Sequence, residues 1–247
     1  MNNSKLGFIN NNRRELGMLG LLIALIVITS WGTRESGVQA LFESKFLSAD
    51  NLKNISREIG IYGIFSIGVG IVIITAGIDL SVGSLMALLG VVFLYFVTPP
   101  ETRPDSFLAK VIPEIPWFAA ILFTLLIGTA IGVFQGLLVG KLKLQAFIVT
   151  LCGLLSYRGL ARFSADDTSI NISDSSQNLE FLRFLGEGSL SDVISNGNGS
   201  GFLHSIPMSF IYLVCFAIFF GVLLHKSVFG RYIFAAGRNE LATKYSG

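Results

Sequence analysis

The stretch IGIYGIFSIGVGIVIITAGIDLSVGSLMALLGVVFLYFV, residues 59–97, decides the fold. Asp79 is its one charged residue. A helix that crosses a bilayer uses about 20 mainly apolar residues, so the stretch reads as two consecutive spans, Ile59 to Thr75 and Leu80 to Val97, with no polar loop between them. Pro99 and Pro100 end the second, because proline cannot continue a helical hydrogen-bond ladder. Between the spans, Thr75-Ala76-Gly77-Ile78-Asp79-Leu80-Ser81-Val82-Gly83-Ser84 must turn tightly or break inside the bilayer. Irregular backbone at that depth persists only where protein or a water-filled cavity satisfies it. Gly77 and Gly83 are the candidate helix-breaking residues, since glycine adopts dihedrals closed to others. Asp79 is placed to accept hydrogen bonds from the free amides that open the next helix. Two readings of Asp79 stand side by side, a helix cap near the cytoplasmic interface and an ionisable group lining a translocation path.

Working outward, the same apolar character recurs. Leu16 to Trp31 is a first span, preceded by Arg13 and Arg14. Val38-Gln39-Ala40 resembles a signal cleavage site, but Arg34 and Glu35 intervene and the distance is too long, so an uncleaved helix is expected. Phe46 to Glu58 reads as an amphipathic approach lying at the interface. Trp117 to Val139, Leu144 to Leu160 and Ile206 to Leu224 complete the series, with Trp117 as an interfacial anchor. The 247 residues are 52% hydrophobic and 14% charged, with a mean hydropathy of +0.67. Soluble domains carry about 25% charged residues. The fold class expected is therefore all-α, a polytopic membrane protein with about six transmembrane helices. Residues 1–247 are expected to form a single transmembrane domain, with an external loop at 163–205 and a cytoplasmic loop at 226–247. A disordered chain, a disulfide scaffold and a nucleic-acid binder are excluded, the last by a net charge of only +2.

Charge tests the alternation of sides. With the N-terminus cytoplasmic, one side collects Lys5, Arg13, Arg14, Lys141, Lys143, Lys226, Arg231, Arg238 and Lys244, against the acids Glu15 and Glu240. The other side mixes nine basic residues with thirteen acids. Basic residues in short loops set orientation, so the purely basic side is the cytoplasmic one.

The fourth span carries Gly128, Gly132, Gly136 and Gly140 at four-residue spacing, one smooth stripe suited to close helix packing or, alternatively, to facing a pathway. Gln135 beside it is the strongly polar side chain at mid-span. Cys152 and Cys215 lie in apolar runs and read as small buried hydrophobes, with no metal or disulfide expected. His204 and His225 stand at opposite span ends, and Gly140-Lys141 runs into Leu142, outside any phosphate-loop pattern. No catalytic residues and no bound cofactor are expected. Asp79, Ser81 and Gln135 are the substrate-path candidates. A short helix is expected over Asn239 to Tyr245, with Asn239 as cap and Gly247 as stop.

Three of these stretches resemble the permease subunits of bacterial ABC sugar importers, the ribose, xylose and galactofuranose group. The hallmark Gly-Gly-Ile-Asp-Leu-Ser-Val-Gly-Ser is similar to Ala76 to Ser84, with Ala76 at the first glycine. Pro-x-Phe-Ile-Val-Thr-Leu…Arg-Gly-Leu-Ala is similar to Gln145 to Leu151 and Arg158 to Ala161, with Gln145 at the proline. The loop Phe-Gly-Arg…Ala-x-Gly-x-Asn…Ser-Gly resembles Phe229 to Gly247. The resemblance implies an inner-membrane permease subunit that dimerises with a second permease chain, homo- or heterodimeric, and takes a monosaccharide from a periplasmic binding protein, with ATP hydrolysed in a separate cytoplasmic ATPase subunit. It further implies that Gly237, Asn239, Glu240, Ala242 and Gly247 belong to the helix that couples to that ATPase, Glu240 standing one place before the usual glutamate. Such permeases have about ten helices in two related halves, so the chain corresponds to an N-terminal part, C-terminally incomplete. The rival expectations are an ion-coupled secondary transporter with Asp79 as its coupling site, an ABC permease for nucleosides or branched-chain amino acids, and a passive membrane anchor.

Overall fold

A computed structural model describes residues 13–32, 45–103, 105–168, 179–190 and 206–245. Val38-Gln39-Ala40, His204, Gly247 and most of the 163–205 loop lie outside the described residues. Among the described residues the regular elements are all helical, apart from an isolated bridge between Ser189 and Pro207. It divides into two compact units, one of residues 1–59 with 189–207 and one of residues 60–188 with 208–247.

In the first unit, α1 (Arg13–Gly32) is apolar on all sides, and a 3-10 turn (Lys45–Leu47) leads into α2 (Ala49–Ile74), which continues into the second unit. Ser48 Oγ accepts from Asn51 N at 3.3 Å and so opens α2. The expected interfacial approach and second span are therefore one helix. Nothing between the Ser48 cap and Ile59 interrupts the ladder, since no proline stands there. At 1.5 Å per residue α2 is about 39 Å long, longer than the ~30 Å hydrocarbon core.

The second unit continues with α3 (Val82–Val97), α4 (Phe107–Val111), α5 (Trp117–Gly140), α6 (Ala146–Ala165), α7 (Leu179–Glu187), α8 (Met208–Lys226), α9 (Val228–Arg238) and α10 (Glu240–Tyr245). Among the described residues, five helices are long and apolar enough to cross a membrane: α1, α2, α5, α6 and α8. The expected third span is shorter than they are. α3 has 16 residues, about 24 Å, because Ser81 starts it late and Thr98-Pro99 stops it. The expected fifth span runs on past Arg158 and Arg162 to a left-handed C-cap at Asp166, where Asp167 Oδ1 meets Arg162 Nε at 2.6 Å.

α3 packs most extensively on α6 and then on α5. Its Leu88, Val92, Tyr95 and Phe96 follow helical spacing onto one face, and with Val97, Ala120 and Ala161 they form the buried core. Outside that core the helices turn apolar side chains outward, including Leu125, Leu126 and Phe134 on α5 and Ile218 and Phe219 on α8. Water does not tolerate a patch of that extent, but lipid does. Cys152 and Cys215 share this outward surface as free thiols, not as buried residues. A bilayer solvates apolar faces, so an apolar run does not mean an inward one.

The end of the unit where α3 finishes is tied by polar contacts. Tyr95 is fully buried, its hydroxyl donating to Ser164 O on α6 and lying 3.3 Å from Ser106 Oγ. Arg103 Nε reaches Thr98 O at 2.9 Å and its Nη1 reaches Ala109 O at 3.0 Å, joining the end of α3 to α4. Burial lowers the pKa of the Arg103 guanidinium, with Glu114 and Tyr95 acting in the opposite sense. Phe181 of α7 packs on Trp117 at 4.7 Å between ring centroids.

Candidate functional site

At the opposite end of that core, α2 stops and α3 begins, and the chain between them is held by its own hydrogen bonds. Gly77 N donates to Val72 O at 3.0 Å and Ala76 N to Ile73 O at 2.9 Å. This pair is the Schellman ending of an α-helix, whose left-handed position is usually glycine. Here it is Ala76, at φ 59°. An L-residue in that conformation costs about 1–2 kcal/mol, so the break is held by its surroundings against a local preference. The two candidate helix-break glycines, Gly77 and Gly83, lie in different surroundings. Gly77 follows the strained residue without itself having a positive φ, and Gly83 lies in the first turn of α3 facing open space. Gly77 nonetheless donates one of the two Schellman bonds, and a Cβ there would stand 3.1 Å from Val72 Cγ1 and 3.3 Å from Val72 O.

Asp79 folds onto the start of α3. Its Oδ1 accepts from Ser81 N at 2.8 Å and from Ser81 Oγ at 2.7 Å. The Ser81 hydroxyl is fully buried and in turn accepts from Gln135 Nε2 of α5 at 3.1 Å. The result is a directional chain, amide to hydroxyl to carboxylate, joining α5 to the break. α6 completes it. Thr150 Oγ1 lies 3.1 Å from Ile78 O, and Gly153 leaves the space that Gln135 and Ser81 occupy. A Cβ at position 153 would stand 2.6 Å from Gln135 Nε2 and 3.1 Å from Ser81 Cβ.

Beside this chain opens a cavity of about 810 Å³, walled by Thr75 to Asp79, by Gly132, Gln135, Gly136, Val139 and Gly140 of α5, by Lys143, Leu144, Ala146 and Thr150, and by Ala236 to Asn239. Small-molecule sites span about 300–1,000 Å³. The walls present a carboxylate, two amides, two hydroxyls and two basic side chains, an array suited to a hydroxyl-rich solute. Lys143 enters the wall at φ 56°, in the tight turn from α5 to α6.

Of the substrate-path candidates, Asp79 and Gln135 line the cavity, whereas Ser81 is buried behind them as the bridge. The glycine stripe divides in the same way. Gly128 alone meets another helix, its Cβ position lying 2.9 Å from Leu89 Cδ1 of α3, while Gly132, Gly136 and Gly140 line the cavity. A four-residue step advances by more than a full turn, so the stripe drifts from the α3 contact to the cavity wall. Among the coupling candidates, Asn239 joins α9 to α10, its Oδ1 accepting from Ala242 N at 3.0 Å, and Glu240 opens α10. Gly237 lies against the end of α2, where a Cβ would stand 2.9 Å from the Ile74 carbonyl carbon and 3.3 Å from Thr75 Cα. The roles of Thr150 and Gly153 were not foreseen. Thr150 falls within the Phe-Ile-Val-Thr-Leu stretch and Gly153 just after it, and a hydroxyl and a glycine three residues apart on an apolar helix were the available signal.

The chain is similar over most of its length to known permease proteins. The ribose import permease protein RbsC of Haemophilus influenzae is 33% identical over 226 residues, which are 91% of this chain and 59% of that protein. RbsC of Escherichia coli K12 is 31% identical over 226 residues, 92% of this chain and 60% of that protein. The xylose transport system permease protein XylH of the same strain is 33% identical over 160 residues, 65% of this chain and 35% of its own. The chain thus spans about 60% of the length of the ribose relatives. No solved structure matches it. The family described as branched-chain amino acid transport system, permease component, matches residues 51–247, and the chain belongs to that family.

Proposed function

We propose that the chain is the transmembrane permease part of an ATP-binding-cassette importer in the bacterial inner membrane, translocating a monosaccharide that a periplasmic binding protein delivers. The observation that carries the reading is the cavity. It lies where a helix breaks at an ionisable residue, its hydrogen-bonding groups converge from four segments, and the α9–α10 junction forms part of its wall. Asp79 and Gln135 contact the sugar hydroxyls, and Ser81 holds both in place. The names of the ribose and xylose relatives support the substrate class. An inner membrane ABC transporter permease protein, YjfF of Escherichia coli, 31% identical over 204 residues, supports the location.

α10 is the segment that docks into a cytoplasmic ATPase, with Gly237, Asn239, Glu240, Ala242 and Gly247 as its coupling residues. The cavity end is then the cytoplasmic one, and the N-terminus is cytoplasmic too. The basic residues Lys141, Lys143, Arg231 and Arg238 on that side support this orientation. A second permease chain completes the pathway, and ATP is bound only by the partner ATPases. Proteoliposomes holding the full-length permease with its ATPase and binding protein test the proposal. ATP-dependent uptake of radiolabelled ribose or xylose is expected. Uptake driven by an ion gradient without ATP would replace it with the secondary-transporter reading.

A further inference from the structure

The cavity wall and the proposed coupling segment are the same piece of chain. Ala236, Gly237, Arg238 and Asn239 line the cavity, and Asn239 also caps α10 through its side chain. No linker separates the site from the helix that would move. The contact that sets the spacing is backbone on backbone. A Cβ at position 237 would overlap Ile74 O and stand 2.9 Å from Ile74 C, so only glycine lets α9 approach the last carbonyl of α2. Side chains that meet can rotate away, but two backbones cannot. Two residues beyond Ile74 stands Ala76, held left-handed at φ 59° in the Schellman turn. Strained residues of this kind persist where the surroundings over-determine them and are found at switching segments. Gly237 thus packs against the residues that lead into this turn, and Ala236 to Asn239 close the cavity on the same side.

We infer that Gly237 is a positioning residue that sets the closure of the cavity. Through its contact with Ile74, the α9–α10 junction acts as the movable wall of the site, and the Ala76 turn is the hinge. The inference rests on the reading of the cavity as a transport site and adds to it the device that opens it.

The test uses the full-length permease in complex with its ATPase, with Cys152→Ser and Cys215→Ser removing the exposed thiols and Gly136→Cys reporting on the cavity wall. A membrane-impermeant maleimide is applied from the ATPase side without nucleotide. Gly237→Ala is expected to raise the labelling rate several-fold, because the added methyl forces the wall outward. It is also expected to raise several-fold the ATP hydrolysed per sugar transported, while association with the ATPase is retained. Unchanged labelling and unchanged coupling in a folded Gly237→Ala complex would overturn the inference. Hydrogen exchange on the unaltered complex provides a second measurement that needs no variant. The amides of Ala76, Gly77 and Asn239 are expected to change protection together on ATP binding, and independent changes would refute the hinge. If the wild-type complex transports no sugar, the function proposal fails, but the labelling and exchange results still decide whether the wall moves.

Discussion

Gly153→Ala probes the junction of α3, α5 and α6 with a single methyl group. The new carbon would stand 2.6 Å from Gln135 Nε2, 3.0 Å from Tyr157 Cε2 and 3.1 Å from Ser81 Cβ. Gln135 and Ser81 are 8% and 0% exposed, so neither has free space to retreat into. Overpacking of this kind costs about 1–3 kcal/mol. Displacing Gln135 also breaks its bond to Ser81, and such bonds between membrane helices average about 0.6 kcal/mol and reach about 1.7. The helix preference for alanine over glycine returns about 1 kcal/mol. The net expectation is a loss of about 1–4 kcal/mol. Denaturant unfolding in mixed micelles measures it, with Gly90→Ala on α3 as control, since that Cβ meets nothing within 4 Å. The double variant Gly153→Ala with Gln135→Ala is expected to recover at least about 1 kcal/mol relative to additivity, because the shorter side chain vacates the space. Stability of Gly153→Ala equal to that of the control, or strict additivity in the double variant, would refute the reasoning.

Other expectations follow from single contacts. Ala76→Gly relieves a left-handed alanine worth about 1–2 kcal/mol against an unfolded-state entropy loss of about 0.5–1 kcal/mol, so thermal unfolding in detergent is expected to shift upward. Asn239→Ala removes the α10 cap, at a cost of about 0.5–2 kcal/mol. Hydrogen exchange at Ala242 is expected to accelerate, while Asn239→Asp retains protection. The Asp105 carboxylate is fully exposed and held below its usual pKa by the hydrogen bond and charge of Lys110 at 2.7 Å. A depressed carboxylate stabilises above its unfolded pKa and loses that contribution as pH falls through the folded one. Exposed pairs contribute little, so Asp105→Asn is expected to leave the unfolding midpoint unchanged at neutral pH and to flatten only a slight acid dependence.

The helices were legible in the sequence wherever apolar length alone defined them. Trp117 opens α5 as expected, because Pro116 fixes an extended entry and the run behind it is uninterrupted to Gly140. α6 runs beyond the expected end at Leu160 to Ala165, because the neighbouring Arg158 and Arg162 look like a span end, yet long basic side chains reach polar surroundings while the helix continues. The site was partly legible. Asp79 and Gln135 stood out as polar groups in apolar runs, but their link through Ser81 spans fifty-four positions, and no local pattern encodes it. Arg103 carries no local signal of its role, since the carbonyls it gathers come from the ends of two helices. Ala76 could not be foreseen as the left-handed residue. Propensity assigns that role to a neighbouring glycine, and tertiary packing overrides it.

ATP-driven sugar uptake by the complex of full-length permease, ATPase and binding protein, comparing wild type with Asp79→Asn, tests the central claim most directly. Asparagine keeps an acceptor for Ser81 but removes the charge, so the break and ATPase assembly are expected to persist while sugar flux falls at least about tenfold, equivalent to ~1.4 kcal/mol in the limiting step. Wild-type flux in the Asp79→Asn complex would contradict the assignment of this cavity as the translocation site.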